Sequence, residues 1–394
     1  MITQTLYQPP HLTLFALFAK FLRFGALAFG GPVAQIAMLR QALVEDERWI
    51  DPARFNRLLA VLQALPGPEA HELCVHLGMI ARGRLGGLLA GLGFMLPGLC
   101  AMLAAGWLYV TYVGRDAGLA GALLGIQVVV LAIIVRAVVR IGTHVIADRW
   151  LALIAIGSAV GTLAGVPFWI PLAAGGACYA MAQRPFVLVV ILAAAIGASI
   201  LSGTGGTATA TLASAEPVTV AALFVAGLKG GLLTFGGAYT AIPYVRTDTV
   251  GRGWLDDATF LDGIALAGVL PAPLVIFATF VGYVVGGLGG ALAITAGMFL
   301  PAFAFSMILF ERLEAIVENA ALHRLLAGVA AAVVGVIAAT IVDLGVATQV
   351  RVTNPLVAVA LFAVALTTVW RVKAAWAAPL VIAAGALAGW LTFS

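Results

Sequence analysis

Apolar residues fill this chain in long unbroken stretches. Residues 85–114, 117–135, 150–183, 185–215 and 352–370 carry no charge, and each is long enough to cross about 30 Å of hydrocarbon as a helix. The alternation of a membrane β-barrel is absent. The pattern predicts an all-α polytopic membrane protein. Spans fall near residues 13–30, 54–81, 85–112, 118–140, 150–166 and 168–183, and again near 218–236, 258–285, 288–310, 324–346, 352–370 and 375–393. One further segment, 185–202, brings the count to about 13 and turns the second set upside down relative to the first. Segments 54–81 and 258–285 are interrupted by prolines and read equally as re-entrant hairpins of two half-helices.

The two sets are also copies. Residues 16–97 read Ala16-Leu17-Phe18, Arg23, Phe29-Gly30-Gly31, Trp49-Ile50-Asp51, Phe55, Leu65-Pro66-Gly67-Pro68 and Leu96-Pro97. Residues 222–301 read Ala222-Leu223-Phe224, Lys229, Phe235-Gly236-Gly237, Trp254-Leu255-Asp256, Phe260, Leu270-Pro271-Ala272-Pro273 and Leu300-Pro301, at an offset drifting only from 206 to 204. The expected organisation is a first transporter repeat over 13–183, a connecting segment and loop over 184–217, and a second, inverted repeat over 218–394.

Inverted repeats with broken helices at matching places point to a secondary transporter whose site lies near the bilayer midplane. Gly30 and Gly31 end one helical stretch, and Pro32 suits the first position of the next. Pro66, Gly67 and Pro68 make a second break, Gly236 and Gly237 a third, Pro271 and Pro273 a fourth. Each new N-terminus presents free N–H groups and a positive dipole end, which together favour an oxyanion. Arg23 and Lys229 each lie six residues before the Phe of their motif. A cation inside the bilayer costs at least about 2.5–3.5 kcal/mol, which an anionic substrate would offset; the bland alternative is that Arg23 snorkels to the interface beside Lys20. All these residues are candidates for substrate contact.

Composition agrees: 63% of residues are hydrophobic, 10% are charged, and mean hydropathy is +1.10. The pI near 9.1 comes from basic residues dispersed between spans, so no nucleic-acid partner is expected. On the 13-span count, Arg82, Arg84, Arg140, Arg149, Arg184, Arg246, Arg252, Arg312, Arg324, Arg371 and Lys373 fall on the N-terminal side, against Arg40, Arg48, Arg54, Arg57, Arg115 and Arg351 opposite. That bias predicts a cytoplasmic N-terminus and a periplasmic C-terminus. The opening "MITQTLYQPPH" lacks the basic region and cleavage site of a secretory signal.

Other chemistry is sparse. "HELCVH" at 71–76 resembles a metalloprotease motif, but His71 and His76 are five apart and lie about 140° apart around a helix. Glu69, His71, Glu72 and His76 form a titratable cluster after the second break, suited either to proton coupling or to pairing with Arg82 and Arg84. Arg136 and Arg140 suit a vestibule that attracts anions, or ordinary cytoplasmic loops. Cys74, Cys100 and Cys178 imply neither disulfide nor zinc. No phosphate-binding loop is present, so transport is expected to draw on ion gradients or membrane potential unless a separate subunit supplies energy. No metal or cofactor is implied, and small-x-x-x-small spacings such as Gly87 to Gly91 suit close helix contacts within the chain or in a homo-oligomer.

"FGGP" at 29–32, "WID" at 49–51 and "LPGPEAHELCVHLG" at 65–78, with the second copies "FGGAYTAIP" and "LPAPLVIFATFVGY", resemble the chromate ion transporter family in its two-domain form. The resemblance implies export of chromate across the bacterial inner membrane and hence chromate resistance, with sulfate as a competing tetrahedral dianion. Where the first copy has Pro32 and Gly67, the second has Ala238 and Ala272, so the first half is expected to make more of the anion contact.

Overall fold

A computed structural model describes residues 7, 9–29, 31–112, 117–182, 185–201, 217–235, 238–308, 320–372 and 377–393. Its first half contains α1 (Leu14–Ala26), α2 (Gly31–Arg40, prolonged by a wider π turn over Gln41–Asp46), α3 (Pro52–Ala64), α4 (Glu69–Tyr112), α5 (Ala117–Val145), α6 (Arg149–Leu163), α7 (Trp169–Ala180) and α8 (Pro185–Leu201). The second contains α9 (Val220–Leu232), α10 (Ile242–Thr249), α11 (Asp257–Val269), α12 (Phe277–Ile308), α13 (Ala320–Arg351), α14 (Pro355–Arg371) and α15 (Ala377–Thr392). The halves start alike: Thr13 Oγ1 accepts the Ala16 N–H at 3.1 Å, and Thr219 Oγ1 accepts that of Ala222 at 3.1 Å. Asp51 and Asp256 then cap α3 and α11, as the Trp-x-Asp motifs anticipate.

Several expected spans are half-length arms. With 13 residues, α1 is about 20 Å long, too short to cross 30 Å of hydrocarbon. After it the chain turns back, because Lys20 pairs with Glu47 and the Phe21 ring meets Trp49 at 6.3 Å. Trp49 is therefore buried, not an interfacial anchor. α3 and the start of α4 also fold back, with Arg54 in electrostatic range of His76. In the second half, Lys229 reaches Asp248 of α10 at 3.2 Å, and the Phe260 and Phe277 rings pack at 5.6 Å across the α11–α12 break. In both halves the first helix and the one before the proline break are thus 13 residues long and folded back against the following chain.

Long arms supply the crossings. α4 reverses at Arg82–Gly83, where Gly83 has φ +61°, so that Gly78 packs on Gly86 and Ala90. α12 reverses in the same way at Gly286–Gly287, φ +60°, with Gly282 on Gly290 and Ile294. Residues 84–112 and 288–308 then run as long arms. By length and composition, Glu69–Tyr112, Leu119–Val145, Leu274–Ile308 and Arg324–Arg351 suffice to cross a membrane.

Glycine lets backbones touch backbones. Gly25 faces the Phe94 carbonyl where α1 lies on α4, and Gly227 faces that of Ile294 where α9 lies on α12. The long arms of α4 and α12 pack together, with Gly91 against Phe303 and Gly106 against Tyr283. Beyond them the contacts are reciprocal: α5 packs on α14 and α15, while α13 packs on α6 and α7. Gly125 beside Gly389, Gly328 beside Gly175 and Gly335 beside Ala155 make those approaches.

Two glycines separate packing from backbone strain. Gly297→Val would drive a side chain into the Phe224 carbonyl, so we expect loss of the folded species on size-exclusion in detergent. Gly287→Ala meets nothing within 4 Å and carries only left-handed strain, about 1–2 kcal/mol, seen as a small fall in Tm.

Candidate functional site

Each chain break must re-house the hydrogen-bonding groups it frees, and here the breaks serve one another. The first follows α1: Leu27 N–H donates to the Arg23 and Phe24 carbonyls at 3.1 Å, and Gly31 at φ +78° starts α2. One turn on, Gln35 is 1% exposed, and its Nε2 donates to Ala28 O and to Ala272 O, both at 2.9 Å. That side chain ties the first break to the fourth. The second break, Pro66-Gly67-Pro68, is buried, and the Gly67 N–H donates to Thr234 O at the third break at 2.8 Å. Pro68 O accepts from His71 and Glu72 N–H, and Pro273 O accepts from Ile276 N–H, so both prolines lead directly into new helical turns. The breaks therefore meet, crosswise between the halves. Gly30, Gly236 and Gly237 lie outside the described residues.

A cavity of about 50 Å³ lies where the first, third and fourth breaks approach one another; the second break does not line it. Gly31, Tyr239, Leu270, Ala272 and Leu274 line it from the breaks, with Ile133 and Ile134 of α5 opposite. Gly31 begins α2, Tyr239 lies in the 3-10 turn Ala238–Ala241, and Leu274 begins the 3-10 turn Leu274–Ile276. None of these starts carries an acidic residue in its first turn. Arg136 on α5 is in electrostatic range of Tyr239. More of the break residues around the cavity come from the second half than from the first.

Arg23 and Lys229 sit elsewhere. Both occupy the last turn of their helices, α1 and α9, where a cation complements the dipole. Arg23 is exposed. Lys229 is held by Asp248, which also accepts from Arg252 Nη2 at 3.3 Å. Neither lines the cavity.

Glu69, His71, Glu72 and His76 are all buried in the first turns of α4. The His71 ring lies edge-on to Phe299 and Phe303 of α12, with centroids 4.9 and 4.7 Å away. Glu72 reaches toward Gly67, and among the described residues neither of its carboxylate oxygens has a hydrogen-bond partner. Since His71 faces α12 while His76 faces Arg54 on α3, the two histidines do not converge as a metal pair. Pairing of the cluster with Arg82 and Arg84 is not what the structure places there, for both arginines are exposed at the far turn of α4.

Sequence reasoning missed Gln35, Thr234 and Asp248. Gln35 had a signal, as the one polar side chain in "PVAQIAML". Thr234 contributes a backbone carbonyl, for which no side-chain pattern exists.

A family model described as chromate transporter matches residues 15–198 and 221–390. A chromate transport protein of Pseudomonas aeruginosa is 56% identical over 392 residues, covering 98% of this chain and 94% of its own. One from Cupriavidus metallidurans is 29% identical over 99% of this chain and 96% of its own. A probable chromate transport protein of Synechococcus elongatus is also 29% identical, over 99% and 98%. No solved structure matches the chain significantly.

Gln35→Leu leaves the Ala28 and Ala272 carbonyls buried without that donor. We expect a loss of about 1–3 kcal/mol of stability for each carbonyl stranded, read as a lower Tm in detergent, whereas Gln41→Leu on the exposed π turn leaves Tm unchanged.

Proposed function

The chain belongs to the chromate transporter family, and on that premise we propose that it is a secondary active exporter of chromate across the bacterial inner membrane, conferring chromate resistance. The observation that carries this reading is the crosswise meeting of the breaks through Gln35 and through Gly67 with Thr234. Helix starts without acidic residues converge there on one cavity, the geometry that favours an oxyanion. Gly30, Gly31, Pro32, Pro66, Gly67, Pro68, Gly236, Gly237, Pro271 and Pro273 shape the site, while Arg23 and Lys229, which do not line the cavity, act on the anion's passage toward it.

The two halves are inverted repeats. Matching reversals at Gly83 and Gly287 and the reciprocal packing of α5 and α13 support this. The re-entrant pairs also return Arg40, Arg48, Arg54 and Arg57 to the side where α1 begins and carry Arg246 and Arg252 to the other. This favours a cytoplasmic N-terminus. An inside-negative potential then drives a dianion outward with about 4.6 kcal/mol per 100 mV.

Proton coupling runs through Glu69, His71, Glu72 and His76. An ionised carboxylate without a partner is unfavourable in such a site, and Glu72 stands at the start of the helix that the second break opens. A sulfate or other oxyanion carrier is the second reading, favoured by the fact that helix ends select charge and oxygen geometry rather than the central atom.

Proteoliposomes with an imposed potential should show saturable chromate flux, and excess sulfate measures the selectivity. Arg23→Gln and Lys229→Gln should each abolish flux in protein that still elutes as a folded species; normal flux in both removes them from the site. Glu69→Gln with Glu72→Gln should flatten the pH dependence of flux, and an unaltered profile ends the coupling assignment.

A further inference from the structure

A second buried carboxyl lies apart from the cavity and the Glu72 cluster. Asp262, 3% exposed, sits in the second turn of the half-length arm α11. Its Oδ2 accepts the Tyr109 hydroxyl at 2.7 Å and its Oδ1 accepts Gln127 Nε2 at 2.6 Å. Gln127 Nε2 also donates to Ala258 O at 3.2 Å, and Gln127 Oε1 accepts Arg351 Nη1 at 3.3 Å. One carboxylate thus binds α11 to the end of the long α4 arm, the start of α5 and, through Gln127, the end of α13.

The position matters because of what α11 carries at its other end. Ile264, Ala267 and Gly268 of α11 line the cavity, and the break that follows supplies Leu270 and Ala272. Between the cavity and the face where α4 and α13 end stands this arm, and it is short, whereas its three partners are long. Its counterpart α3 shows no comparable network among the described residues: Asn56 and Arg57 are exposed there, and Arg40 Nη1 donates to Asn56 Oδ1 at 3.5 Å. Bonds to an ionised acceptor are the strong ones, so the second re-entrant pair is fastened where the first is not.

We propose that Asp262 is a positioning residue that latches α11 over the cavity and keeps it closed toward the face where α5 begins and α13 ends. The inference rests on the transport reading above. Release of the latch opens the substrate cavity to that face alone, and Asp262 acts through Tyr109 and Gln127 without touching substrate.

Gly268→Cys provides the readout, since a Cβ there meets only Ile382 Cδ1, at 3.4 Å. Labelling by a membrane-impermeant maleimide is measured in spheroplasts and inside-out vesicles, with the chain lacking that change as the control for Cys74, Cys100 and Cys178. Adding Asp262→Asn should raise the labelling rate about tenfold or more from one side only, and should change chromate KM. If Asp262→Asn does not fold, Tyr109→Phe removes one of the two bonds and should give a smaller rise on the same side. Equal labelling with and without the latch overturns the proposal. Absence of chromate flux in the unmutated chain overturns the transport reading instead, and the labelling rates still decide the latch.

Discussion

Hydrocarbon offers no hydrogen bonds, so a helix that stops inside a bilayer must find partners for its free N–H and C=O groups elsewhere in the protein. This chain interrupts helices repeatedly at one level, and it meets that requirement between its halves. Gln35 serves Ala28 and Ala272, and Gly67 serves Thr234. The prolines at 68 and 273 lower the demand, because they have no N–H to satisfy. One of these contacts, Gln35 with Ala272, also joins two breaks that line the cavity.

The halves share a backbone plan and divide its chemistry. Threonine caps, aspartate caps, left-handed glycines at 83 and 287, and glycine-to-carbonyl contacts recur in both. Buried titratable groups do not. The helix after the second break begins with Glu69, His71 and Glu72, whereas the helix after the fourth begins with the apolar run Leu274 to Ala278. Asp262 has no equivalent in α3, where the offset of 205 falls on Arg57, and the position of Arg136 falls on Ile341 or Val342 of α13 at offsets of 205 or 206.

Much of the fold was legible in the sequence because hydrophobic length and glycine-proline breaks are local signals. The helical class, the break positions and the Asp51 and Asp256 caps all follow from such signals. Arm direction was not legible. Whether residues 54–81 cross or turn back depends on contacts such as Arg54 with His76 and Phe260 with Phe277, which no local pattern encodes. For the candidate site, the glycines and prolines were readable, while Gln35 and the Thr234 carbonyl matter only through long-range pairing. Lys229 stood out as an isolated cation, but its Asp248 partner is brought to it by a turn of the chain.

The reciprocal packing of α5 and α13 has a consequence for biogenesis. α5 packs on α14 and α15, which are synthesised long after it, and α13 packs on α6 and α7, which leave the ribosome long before it. The buried cluster from Leu17 to Phe94 lies wholly within the first half, whereas α5 waits for contacts more than 200 residues downstream, such as Gly125 with Gly389. Loop-closure entropy of that kind makes assembly slow relative to insertion. α1 can pack on α4 as soon as both are inserted, whereas α5 has to wait for α14 and α15, whose docking completes the packing around it.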